Sequence, residues 1–171
     1  MLDYIVRDII AISRYLPTGL FLGIPLGLVF LSFGGQKKHH GRTGRFLFGL
    51  CLGFILTVTY FSREIGSAGE IIDLKLFSTW EINVRNRAYL VENLLLFMPF
   101  GACFGIAYGK KPILWHVFLV GFVTSLGIET MQLITKRGIF QLDDILTNVL
   151  GAVAGGLIYL ILRSGERGRQ S

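Results

Sequence analysis

The chain has 171 residues, 52% hydrophobic and 16% charged, with a mean hydropathy of +0.59 and a formal net charge of +6. Soluble domains carry about 25% charged residues. A charge this low, with the apolar residues gathered in long blocks, excludes a disordered chain, a disulfide scaffold and an ordinary soluble enzyme. The net positive charge suits the loops of a membrane protein, which retain Lys and Arg on the cytoplasmic side, and no nucleic-acid partner is expected. Cys51 and Cys103 both lie inside apolar blocks and imply neither a redox compartment nor a metal.

Residues 1–16 place Leu2, Ile5, Ile9, Ile12 and Leu16 at three- and four-residue spacing, but Asp3, Arg7, Asp8 and Arg14 are too many charges for a span. An N-terminal interfacial amphipathic helix is expected. Acidic residues near the start and the lack of a small-residue cleavage site argue against a cleaved signal peptide. A hydrocarbon core of about 30 Å needs roughly 17–25 apolar residues as a helix. Five blocks meet or approach this: residues 17–33, with Pro17 suited to a first turn; 46–61; 89–108, interrupted by Glu92, Asn93 and Pro99; 113–134, carrying His116, Glu129 and Gln132; and 145–162, with Asn148 near its start. Pro99 is expected to kink or break its helix. The fold class is all-α: a polytopic membrane helical bundle of about five transmembrane helices plus the N-terminal interfacial helix, in one integral membrane domain over residues 1–171. Residues 62–87 carry eight charges and read as a semi-ordered outer lid, with an interfacial or hairpin strand at 71–77 and Trp80 dipping into the headgroups.

Orientation follows from the short loops. With five spans, residues 34–45, the turn at Lys110 and Lys111, and the C-terminal tail share one side. They hold Lys37, Lys38, Arg42, Arg45, Lys110, Lys111, Arg163, Arg167 and Arg169, nine basic residues against the single acid Glu166. The positive-inside rule puts this side, with the C-terminus, in the cytoplasm and the N-terminus outside. His39 and His40 join that basic patch, and Trp80 and Trp115 suit the interfaces. His116 reads as a packed or interfacial histidine. Glycines four residues apart at Gly19/Gly23/Gly27, Gly49/Gly53, Gly101/Gly105 and Gly151/Gly155 favour closely packed helices.

Charged and amide groups inside a span are costly and usually line a polar cavity. Glu129 and Gln132 share one helix face at i, i+3, and Asp144 and Asn148 share another at i, i+4. Asn93 opens the third helix, Asp143 begins the fifth, and Arg137 lies in the short connection between the fourth and fifth. These polar groups converge at one depth toward the outer side, and one water-accessible cavity is expected, with Arg137 at its rim. Alternatives stay open: Asp143 or Asp144 as a helix cap, Asn93 and Asn148 as interhelical glue, and Glu129 paired with Arg137 to close the bundle. Glu129, Asp143 and Asp144 have the oxygen chemistry for a divalent cation or for acid/base work, and spacing alone does not choose. No phosphate loop, His-Glu-x-x-His or Ser-His-Asp grouping is present, and no cofactor is expected.

The segment Asn93-Leu-Leu-Leu-Phe-Met-Pro-Phe-Gly101, the pair Glu129-Thr-Met-Gln132, Arg137, and the run Asp143-Asp144-Ile-Leu-Thr-Asn148-Val-Leu-Gly151 resemble, in order and spacing, the signature of VanZ-like membrane proteins. The resemblance covers residues 85–162. Gln141 departs from it, standing where the family often has another Asp, which lowers the acid count a metal site needs. The resemblance implies a small multi-helix membrane protein, and its name-giving member is associated with tolerance to teicoplanin, a lipoglycopeptide acting at the outer face. Three functions fit these residues: binding or modifying a lipid-linked or amphiphilic envelope molecule, such as a membrane lipid, a cell-wall precursor or a lipoglycopeptide; an intramembrane enzyme on lipid phosphate or lipid-linked sugar, with Glu129 or Asp144 as base; and a structural subunit of a membrane complex.

Overall fold

The computed structural model describes residues 1–33, 39–66, 72–109 and 113–168. Lys37, Lys38, Glu70, Lys110, Lys111 and Arg169 lie outside them. The elements in chain order are α1 (Leu2–Ile12), a 3-10 turn (Ser13–Tyr15), α2 (Leu16–Ser32), α3 (His39–Leu56) ending in a wide π turn (Thr57–Phe61), β1 (Ile72–Asp73), α4 (Ser78–Ile82), α5 (Val84–Tyr108), α6 (Ile113–Ile134), β2 (Phe140–Gln141) and α7 (Leu142–Gly168). Among the described residues, five helical runs are long and apolar enough to cross a membrane: Asp3–Ser32, Gly41–Phe61, Val84–Tyr108, Ile113–Ile134 and Leu142–Gly165. The chain is an all-α helical bundle, as its hydropathy blocks predict.

Three elements differ in extent from the sequence reading. α1 passes into α2 through the 3-10 turn alone; α1 packs on α5, with Asp8 beside Glu92, and α2 packs on α3. The second span starts earlier than residue 46, because α3 begins at His39. Arg45, expected in a loop, is thereby inside α3 and buried. α5 starts five residues before position 89, at Val84, where the Asn83 side chain accepts the Asn86 N–H at 2.9 Å. It continues through Pro99 to Tyr108.

Close backbone approach sets the packing. A Cβ on Gly49 would sit 2.7 Å from Gly27 Cα, and a Cβ on Gly151 would run into the Leu94 carbonyl. These two contacts seat α2 on α3 and α5 on α7, as small residues do between membrane helices. The core lies where α3, α5, α6 and α7 meet, with Phe48, Ile55, Phe97, Phe100, Val117 and Ala152 all buried. The Phe48 and Phe100 rings are 4.7 Å apart between centroids.

The lid follows the π turn. Among its described residues it does not form a hairpin. β1 pairs in parallel with β2, Ile72 opposite Phe140 and Asp73 opposite Gln141. The lid is thus tied to the connection that leads into α7. Within it, Asp73 accepts the Ser78 hydroxyl at 2.6 Å and the Lys75 N–H at 3.0 Å, which hold its carboxyl below the ordinary aspartate range. Trp80 is 45% exposed.

Candidate functional site

The polar groups gather at the end of the bundle that holds the start of α5 and α7 and the ends of α3 and α6. Helical spacing explains the gathering. On α6, Ser125, Glu129 and Gln132 lie on one face; on α7, Asp144 and Asn148 do. The seven-residue connection between α6 and α7 makes these helices antiparallel neighbours, so the two faces meet. Glu129, Gln132, Asp143, Asp144 and Asn148 are all between 1% and 9% exposed.

Each buried group has a partner, as burial in low dielectric requires. Asp144 accepts the Asn93 amide at 3.0 Å, joining α7 to α5. The Asn148 amide donates to the Ser125 hydroxyl at 2.9 Å, joining α7 to α6 one turn deeper. Glu129 accepts the Gln141 backbone N–H at 2.9 Å. The Gln132 amide donates to the Thr59 carbonyl at 2.8 Å. That carbonyl is free because the π turn ends α3, and terminal carbonyls lack an intrahelical donor. The Asn148 Oδ1 atom is buried without a hydrogen-bond partner.

Asp143 does not cap its own helix with its side chain. Its carboxylate accepts the N–H groups of Phe77, at 2.6 Å, and Thr79, at 3.0 Å. α4 begins at a residue with no capping oxygen, Phe77, held at a left-handed φ of 63°. Asp143 supplies the missing acceptor from the last helix and latches the lid over the cluster. The site residues therefore converge as the spacing predicts, but in a closed, lid-covered cluster where an open cavity was expected.

Arg137 also departs from expectation. It does not pair with Glu129. Its Nη1 donates to the carbonyls of Tyr60, at 3.1 Å, and Arg63, at 3.0 Å, and its guanidinium lies over the Tyr60 ring at 4.7 Å from the centroid. The cation nearer the acids is Arg63, exposed at the lid's start, which attracts both Glu129 and Asp144 and donates to Gln132 Oε1 at 3.5 Å. Gly138 leaves the room for this contact, since a Cβ there would meet Gln132 Oε1 at 3.0 Å. Arg63 and Ser125 stand outside the sequence motifs. The available signals were that Ser125 lies four residues before Glu129 and that Arg63 follows the second apolar block at the cluster's end of the bundle.

Beside the cluster, a cavity of about 450 Å³ opens between α3 and α6, lined by Leu52, Leu56, Tyr60, Phe61, Ile128 and Met131 among others. Tyr60 and Phe61, on which Arg137 stacks, form part of its wall. Among the described residues, no group of three or more His, Cys, Asp or Glu side chains is arranged to hold a metal ion.

The family model VanZ/LLP1 matches residues 46–163, well over half of the chain. The chain belongs to the VanZ/LLP1 family. The match extends N-terminally beyond residue 85, into α3, where no motif was legible. That helix contributes the Thr59 and Tyr60 carbonyls to the cluster of this VanZ-like chain. No curated protein and no solved structure matches it significantly.

Proposed function

We propose that this VanZ-like protein binds or modifies a lipid-linked or amphiphilic molecule of the cell envelope at the cluster end of the bundle. One observation carries the reading: an apolar cavity sits beside a buried polar cluster, with the Arg137 guanidinium over the cavity's Tyr60 wall and the Arg63 guanidinium on Gln132 of the cluster. An apolar slot next to fixed cations and amides is the chemistry of an amphiphile with an anionic head. The alkyl part would enter between α3 and α6. Arg137 and Arg63 would meet the anionic group through charge-assisted bonds, and Asn93, Gln132 and Asn148 would orient it once the lid opens.

The candidate ligands are a membrane lipid, a lipid-linked cell-wall precursor or a lipoglycopeptide, and glycopeptide or teicoplanin tolerance is the phenotype the family resemblance suggests. The positive-inside rule supports a C-terminus in the cytoplasm and a cluster facing outward. A second reading has its own support. Glu129 and Asp144 are both buried on the facing sides of α6 and α7, and neighbouring buried carboxyls suit acid and base roles in cleaving a lipid phosphate or lipid-linked sugar.

The test is reconstitution of the protein with native lipid extract, followed by structure determination and product analysis. Lipid density between α3 and α6 with its head at Arg137, lost in Arg137→Gln, is the expected result. Turnover abolished by Glu129→Gln with binding retained would establish the enzyme. An unchanged envelope phenotype in both variants would overturn both readings.

A further inference from the structure

A second site lies on the opposite flank of α5. Glu92 and Asn93 are consecutive, so their side chains leave α5 about 100° apart. Asn93 turns to the polar cluster, where it binds Asp144. Glu92 turns the other way, into a groove of about 620 Å³ walled by α1, α2, α3 and α5 and lined mainly by Leu16, Leu20, Phe54, Leu96 and Pro99.

Its charge is distinctive. Glu92 Oε1 is buried without a hydrogen-bond partner. The Asp8 carboxyl stands beside Glu92 where α1 packs on α5, so two acids share the head of the groove. One guanidinium, Arg85, attracts both acids while its Nε donates to the Tyr89 hydroxyl at 2.8 Å, so two acids face one cation, and Arg7 stacks over the Tyr4 ring. The other polar hydroxyl in the lining, Ser13, is satisfied by the Ile10 carbonyl at 2.6 Å. Glu92 stands three residues, about 5 Å, inside the apolar block that opens at residue 89. An acid within an apolar block carries a desolvation cost that a partner offsets.

The groove is apolar along its length and acidic at one end. A phospholipid with an amine headgroup fits poorly, because its phosphate would lie between the ammonium and the chains, against leucine and phenylalanine. We propose that the groove binds a single-chain amphiphile whose ammonium is carried directly on the alkyl chain, with the ammonium on Glu92 and Asp8 and the chain along Leu16, Leu20, Leu96 and Pro99.

The experiment uses the full-length protein in nanodiscs of phosphatidylcholine, which has no primary amine, and a photoreactive long-chain primary alkylamine as probe. Saturable labelling mapping to residues 12–20 and 92–99 is expected. An unlabelled alkylamine should compete about tenfold or more better than the alkanol of equal chain length, since a charge-assisted bond is about twice as strong as a neutral one and a difference of about 1.4 kcal/mol is a factor of ten. The alkyl sulfate should not compete. Glu92→Gln should weaken labelling by about tenfold, and Leu96→Trp, which fills the groove and leaves Glu92 in place, should abolish it. Arg137→Gln, at the other site, should leave it unchanged. Equal competition by alkanol and alkylamine overturns the proposal in the wild-type protein alone, whether or not Glu92→Gln folds. Labelling spread over other lipid-facing helices, or unaltered in a folded Glu92→Gln protein, overturns it as well.

Discussion

Asp143→Ala should release the lid while leaving the bundle folded. The Asp143 carboxylate accepts two backbone N–H groups from a segment 64 to 66 residues away, at 2.6 and 3.0 Å, in a place where Asp143 is 3% and Thr79 is 4% exposed. A hydrogen bond to a charged group contributes about 1.5–3 kcal/mol, and a buried donor left unpaired carries its own desolvation cost. Removing both acceptors would therefore cost about 3–6 kcal/mol if both amides stayed dry. The Phe77 side chain is 59% exposed, so its amide can reach water once the carboxylate is gone, and about 2–4 kcal/mol is the better figure. At about 1.4 kcal/mol per factor of ten, the lid's opening equilibrium should rise by about 30- to 1000-fold. Asp143→Asn keeps one acceptor of similar shape and should cost about half as much. Hydrogen exchange read by mass spectrometry on residues 72–83 and, separately, on residues 142–160 measures this. Fast exchange confined to the first peptide is expected. Unchanged protection at residues 72–83 would refute the latch, and equal loss in both peptides would mean that Asp143 holds the bundle and not the lid.

Gly151→Ala places a methyl against the backbone of Leu94, so α5 and α7 must part, and thermal unfolding in detergent should show a loss of about 1–3 kcal/mol. Gly127→Ala, with nothing within 4 Å of the new carbon, should change stability by less than about 0.5 kcal/mol. Arg137→Lys keeps the charge but loses the planar fork that reaches two carbonyls and stacks on Tyr60. Exchange in residues 57–66 should accelerate by about tenfold. Asp73 has its folded pKa lowered by Ser78 and Lys75, so the turn it holds is stabilised above the ordinary aspartate pKa of about 3.9 and loses that support as pH falls through the lower folded value. Exchange-corrected protection of residues 72–78 should drop only in strong acid, and Asp73→Asn should remove the pH dependence.

The five spans were legible from the chain because a membrane helix satisfies its own backbone hydrogen bonds, so length and hydropathy suffice to locate it. The meeting of Glu129 and Gln132 with Asp144 and Asn148 was legible for a similar reason: i, i+3 and i, i+4 spacing and a short connection constrain which faces can touch. The partners of those groups were not legible. Arg137 sits eight residues from Glu129, yet it binds carbonyls of Tyr60 and Arg63, more than 70 residues away. Asp143 looked like a cap for α7 and instead caps α4 from across the bundle. The parallel pairing of β1 with β2 has only two residues on each side, too few to leave a periodic pattern. Hydropathy and spacing act within one element, whereas a hydrogen-bond partner depends on which elements end side by side. Here close approach at Gly49 seats α3 on α2 and close approach at Gly151 seats α7 on α5, and which ends of α3, α6 and α7 then meet is a property of the whole bundle and not of any one element.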